Sequence, residues 1–182
     1  MKLFECQNCG QPLYFENTHC ESCGLRLGYL PAKETVTALE EGEGGGAMTA
    51  MADRARYRYC ANAHLGVCNW LVPADREDPF CAACRHNRTI PDLSVSENLF
   101  NWHKLEVAKH RLFYTLLKLR LPLTTRNEDP EGGLAFDFLA TPAPGEPPTG
   151  SLPRSATGGV RLPCRSAPIA NSSRNLPDSH RS

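Results

Sequence analysis

No stretch of this 182-residue chain is apolar enough to cross a bilayer. The opening MKLFECQNCGQPLYF also lacks the apolar run of a signal peptide. These two absences predict a chain that stays in the cytoplasm, away from membranes, with its thiols reduced. Charge excess is missing too, because 20 Lys+Arg balance 20 Asp+Glu. That balance removes the usual drive toward phosphate backbones or acidic lipid. Residues 141–182 lack aromatics and lysine and hold eight of the fifteen prolines. Such a stretch cannot bury a core, and a disordered tail is expected there.

Cysteine is what the chain has. Eight of the nine cysteines fall in two tight groups, and in a reducing compartment grouped cysteines bind metal more readily than they pair. The first group is Cys6-x2-Cys9-Gly10, then Cys20-x2-Cys23-Gly24. Two cysteines two residues apart can place both sulfurs on one ion, and the following glycine permits the positive φ of such a turn. The intervening QPLYFENTH suits a short hairpin, and Leu25, Leu27 and Tyr29 alternate as in one further strand. About thirty residues cannot fold on hydrophobic burial alone, so a structural zinc is expected as the core of this block. Iron, as in rubredoxin-like carriers, is the alternative.

The second group is Cys60, Cys68, Cys81 and Cys84, with a seven-residue gap in its first half. Four thiolates suffice for a second structural zinc, while His64 or His86 could replace one of them. Trp70, Leu71, Val72 and Phe80 supply an apolar cluster between the ligand pairs, with Tyr57 and Tyr59 packing over it. Asp75, Glu77 and Asp78 read as a solvated turn, and Cys164 as an incidental free thiol.

The rest divides by composition. Residues 1–30 form a zinc ribbon, 31–53 a flexible Gly/Glu-rich linker, and 54–92 a second zinc-binding module. Residues 93–122 form an amphipathic helix, opened by a capping box at Ser94 and Glu97 and closed by Pro122. Its apolar stripe is Leu99, Trp102, Leu105, Ala108, Leu112, Leu116 and Leu119, a face open to a protein partner. His103, Glu106 and His110 share another face, where solvated polar residues or a metal site would both fit. In 123–140, Leu134, Phe136 and Phe138 alternate as a strand opening an incomplete domain. The expected fold class is therefore small metal-stabilised β modules of zinc-ribbon type plus one long α-helix.

The stretches MKLFECQNCGQPLYFENTHCESCGLRLGYLP, YRYCANAHLGVCNWLVPADREDPFCAACRHNRTIPDLS and DPEGGLAFDFL resemble, in wording and order, a bacterial family of zinc-binding metallopeptidases with an N-terminal zinc ribbon. The resemblance covers residues 1–30 and about 54–140. It implies a longer domain with an H-E-x-x-H helix, whose histidines bind zinc and whose glutamate is the general base. No H-E-x-x-H occurs in these 182 residues, so no catalytic residue carries over. A frameshift near Ala140 would explain the change of character beyond it. Nucleic-acid binding is the competing class: residues 54–88 hold six arginines against three acids, with Tyr57, Tyr59 and Trp70 placed to stack on bases.

Overall fold

The computed structural model describes residues 2–42 and 46–140; the disordered-tail and frameshift expectations, and Cys164, fall outside them. The doubled C-x2-C-G turns each sit on short extended pieces. β1 (Phe4–Glu5) pairs antiparallel with β2 (Pro12–Leu13) below the first turn. His19 bridges to Arg26 below the second.

The alternation in LRLGYL becomes β3 (Arg26–Leu30), the first strand of a five-stranded antiparallel meander. Its continuation corrects the linker expectation. Thr35–Glu41 is β4 and Met48–Ala50 is β5, so most of the 31–53 stretch lies within the sheet and its flanking turns. Composition hid these strands because the GEGGG of residues 42–46, together with Glu40 and Glu41 at the end of β4, dominates the average. TVTALEE itself carries β-branched residues, with Val36, Ala38 and Leu39 buried. β6 (Arg56–Tyr59) and β7 (Leu71–Pro73) complete the sheet.

The two ends of the meander meet. Tyr29 on β3 bridges Trp70 just before β7, and the Tyr59 hydroxyl donates to the Leu27 carbonyl at 2.8 Å. Gly28 is required at this closure: a Cβ there would lie 2.6 Å from Cγ of buried Leu71. Gly28→Ala should therefore cost about 1–3 kcal/mol through overpacking. Urea denaturation checks this, and an unchanged midpoint would show that the strands can part freely.

One aromatic core serves both cysteine blocks and the helix, in place of two tandem modules. Phe15 lies 4.7 Å from Tyr29 and 5.2 Å from Tyr114, and Tyr29 lies 4.8 Å from Trp70, ring centre to ring centre. A smaller cluster of Leu30, Leu39, Met48, Ala50, Tyr57 and Leu71 fills the other side of the sheet. Leu71 and Val72 thus go to different clusters, and Phe80 is 36% exposed. The expected single cluster between the ligand pairs is split by strand alternation.

α1 runs Ser96–Lys118, with Val95 at its N-cap and no side-chain cap bond, so the Ser94–Glu97 capping box does not form. Its buried face also differs from the expected stripe. Trp102, Glu106, Lys109, His110, Phe113 and Tyr114 are buried, while Leu105, Ala108, Leu112 and Leu119 are exposed. No helix among the described residues is long and apolar enough to cross a membrane.

The strand at Phe136 finds a partner in the chain itself. β9 (Phe136–Asp137) pairs parallel with β8 (Asn87–Thr89), directly after the second cysteine block. Asp137 accepts from Thr89 Oγ1 at 2.7 Å and from Arg88 Nε at 2.9 Å, and Phe138 N–H donates to the Thr89 carbonyl. Residues 123–140 therefore fold back onto the ribbon region.

Candidate metal centres

The first centre is built from two turns with matching hydrogen bonds. Gly10 N–H donates to the Cys6 carbonyl at 2.9 Å, as Gly24 N–H does to the Cys20 carbonyl at 2.8 Å. Cys6 N–H donates to Gln11 and Cys20 N–H to Leu25, both at 2.9 Å. Gly10 and Gly24 take φ of +73° and +74°, a conformation in which a side chain would be strained. The turns face each other, bringing Sγ of Cys6 within 3.7 Å of Cys23 and Sγ of Cys9 within 3.5 Å of Cys20. A tetrahedral ion with metal–sulfur bonds of about 2.3 Å has sulfur–sulfur edges of about 3.8 Å, so this donor set fits zinc.

β4 anchors this centre to the sheet. Gln7, between the first two cysteines, accepts from Ala38 N–H at 2.7 Å and donates to the Val36 carbonyl at 3.1 Å. Cys9 is exposed, whereas Cys6 and Cys20 are buried. Burial pushes the Cys6 thiol up to about 11. Hydrogen bonds from the Asn8 side chain and the Leu25 backbone draw Cys23 down to about 6. The amide-rich side of the cluster thus favours thiolate, and a dication would hold the buried side in that form as well.

In the second centre all four cysteines are buried. Cys60 precedes a short 3-10 turn, Ala61–Leu65, that takes up most of the seven-residue gap and returns through Gly66. Sγ of Cys68 and Cys81 lie 3.8 Å apart, again a tetrahedral edge. Three backbone N–H groups face the sulfurs at 3.4 Å: Trp70 to Cys68, Cys81 to Cys60, and Cys84 to Cys81. Asn69, beside Cys68, donates to the Phe15 carbonyl at 2.7 Å and ties this centre to the first block. Burial raises the Cys68 thiol well above its ordinary range, so a cation would hold that sulfur as thiolate.

The structure separates the histidines that the sequence put forward as substitutes. His64 is exposed and contacts the Ala61 carbonyl. His86 is buried against Phe113, its Nε2 3.2 Å from the Leu123 carbonyl, and burial lowers its pKa. Neither joins a cysteine cluster among the described residues. His110 does: its Nε2 lies 3.3 Å from Cys68 Sγ and 3.6 Å from Cys84 Sγ. Glu106 stands beside it, Oε2 3.8 Å from Cys84 Sγ. His103 is exposed and joins neither Glu106 nor His110 in a ligand cluster among the described residues, so the expected trio is divided. The three- and four-residue spacing of Glu106, Lys109 and His110 was visible in the sequence, but its burial was not. Asp75, Glu77 and Asp78 form no metal-binding cluster among the described residues.

Comparison with known proteins agrees with this layout. A zinc-ribbon domain family matches residues 3–95, and a family described as "Putative zinc-binding metallo-peptidase" matches residues 98–158. The second match continues past Ala140, so likeness to the family does not stop where the composition changes. Relatives include uncharacterized proteins of Mycobacterium bovis and Mycobacterium tuberculosis, each 39% identical over 141 residues. Those alignments cover 78% of this chain and 38% of each relative, so the chain spans about two fifths of their length. No solved structure matches. The chain belongs to the zinc-ribbon domain family over residues 3–95, and a zinc-binding metallo-peptidase family region follows that ribbon.

Proposed function

We propose that the chain is a zinc-binding scaffold holding two structural zinc ions, one on Cys6, Cys9, Cys20 and Cys23 and one on Cys60, Cys68, Cys81 and Cys84. The observation that carries this reading is the convergence of each cysteine set, every sulfur within 4.8 Å of the others in its set. Zinc is favoured over iron because both matching families are described by zinc. A reducing, cytoplasmic setting would keep these thiols available to the metal.

On this reading the 182 residues do not hydrolyse peptides. They contain no H-E-x-x-H, and neither cysteine centre leaves an open coordination position for water. Peptidase activity would belong to the further length that the relatives possess. The exposed Leu105 and Leu112 on α1, with Leu119 at its C-cap, are where such a domain, or another protein, would pack.

Nucleic-acid binding is disfavoured by what the basic and aromatic side chains already do. Arg54 pairs with Glu40, Arg85 with Glu128 and Arg88 with Asp137, while Arg58 donates to the backbone carbonyls of Arg76 and Asp78. Trp70 is fully buried and Tyr57 is 8% exposed, so neither offers a face to a base.

The test is to purify the chain, count its metal, and assay it on unfolded casein. Two zinc ions per chain with no cleavage above a chelated control is the expected result. Metal-dependent cleavage by the loaded chain would overturn it.

A further inference from the structure

Two structural zinc ions employ the eight ribbon cysteines and leave three buried polar residues of α1 without a role. Glu106, Lys109 and His110 are each at most 4% exposed, and all come from the metallo-peptidase-family region. Lys109 Nζ donates to Glu106 Oε1 at 2.9 Å, and Asn87 Nδ2 donates to the same oxygen at 2.8 Å. The Glu106 carboxylate is therefore compensated without an ion. His110 is placed differently.

Nδ1 of His110 lies 2.7 Å from the Glu106 backbone carbonyl, which can only accept, so Nδ1 carries the hydrogen of the neutral ring. Nε2 is left with a lone pair, and what it faces is sulfur: Cys68 at 3.3 Å and Cys84 at 3.6 Å. Metal-bound thiolates offer that lone pair no hydrogen. The two separations are those of neighbouring ligands on one ion. Bonds of about 2.0–2.1 Å to nitrogen and about 2.3 Å to sulfur give a tetrahedral nitrogen–sulfur edge of about 3.5 Å. A ring whose other N–H is held by a backbone carbonyl is also the arrangement in which histidines ligate metal. Cys84, Glu106 and His110 bring one donor atom each within 4.8 Å of one another, so Cys84 belongs both to this trio and to the four-cysteine set.

The second centre thus offers five donors for four positions. Sulfurs of Cys60, Cys68 and Cys81 each receive a backbone N–H at 3.4 Å, while among the described residues Cys84 receives none from the backbone. Cys84 is therefore the thiolate least held by its surroundings. We propose that His110 is a standby ligand of the second metal centre, its Nε2 taking the place of Cys84 when that thiolate leaves the ion. The inference rests on the reading that this cluster holds zinc in a four-sulfur shell. In the exchanged state the ion is held jointly by the ribbon and by α1, so the metal itself joins the ribbon to the metallo-peptidase-family region.

The experiment uses the full chain, Cys84→Ala, the near-isosteric Cys84→Ser, and each of these combined with His110→Ala. Ions on the zinc-loaded proteins are counted by native mass spectrometry. The same proteins with 15N-labelled histidine are loaded with 113Cd2+ for NMR, which resolves the two centres. Cys84→Ala and Cys84→Ser are expected to keep two ions, with the second 113Cd resonance shifted from its wild-type position and coupled to one histidine 15N. Adding His110→Ala should abolish that coupling and leave one ion per chain. Loss of the second ion, or failure to fold, in both Cys84 variants would overturn the proposal, while two ions on the wild type leave the zinc reading intact. A second ion that persists after His110→Ala, or a second resonance without nitrogen coupling in the Cys84 variants, would overturn it as well. Nitrogen coupling already present in the wild type would also do so, by making His110 a resident ligand. A wild-type chain with no ion on the second cluster overturns both readings.

Discussion

Cys81→Ser should release the second ion and unfold most of the described chain. Cys81 is 1% exposed, with its sulfur 3.8 Å from that of Cys68. A structural zinc contributes an apparent 10–16 kcal/mol, roughly, to small modules of this kind. Whole-domain stabilities are about 5–15 kcal/mol, so losing one such ion removes most of what holds the fold. The damage should spread, because Trp70 and His110 connect this centre to Tyr29, Phe15 and α1. Metal content should fall by one ion per chain, together with the near-ultraviolet signal of Trp70 and Trp102. Cys9→Ser, at an exposed corner of the first centre, should likewise release one ion but leave α1 helical. A Cys81→Ser protein that keeps both ions, or unfolds no further than Cys9→Ser, would contradict this account.

Lys109→Met is expected to have the next largest effect. It removes the ammonium from Glu106, whose side chain is fully buried, and leaves a carboxylate held mainly by Asn87. Breaking one side of a buried ion pair typically costs about 3–5 kcal/mol. The double variant Glu106→Gln with Lys109→Met removes both charges and should regain much of that loss. Urea denaturation of the metal-loaded proteins checks both expectations. A single variant within about 1 kcal/mol of wild type would show that the pair is not carrying its burial.

The cysteine sets were legible because metal chemistry constrains spacing locally. C-x2-C-G can be read from five residues at a time, and the sulfurs of each group converge. The helix was legible in extent but not in orientation. Counting apolar residues selects Leu105 and Leu112, whereas the buried face holds Glu106, Lys109 and His110. Those residues are buried because they satisfy one another and Asn87 and face the cysteine sulfurs, which a hydrophobic periodicity cannot register. The linker expectation failed for a related reason. TVTALEE and MTA are short strands separated in the sequence by glycine-rich residues 42–46, and averaged composition gives that stretch's character to its neighbours. Pairing of Phe136 with Asn87 joins residues 49 apart and leaves no local trace in either segment.

The central claim is that each cysteine cluster holds one zinc in an all-sulfur shell. X-ray absorption at the zinc edge, with metal quantification on the same sample, tests it directly. The account predicts two zinc ions per chain, each with four sulfurs at about 2.3 Å. A single ion per chain, iron in place of zinc, or a shell containing nitrogen or oxygen would contradict it.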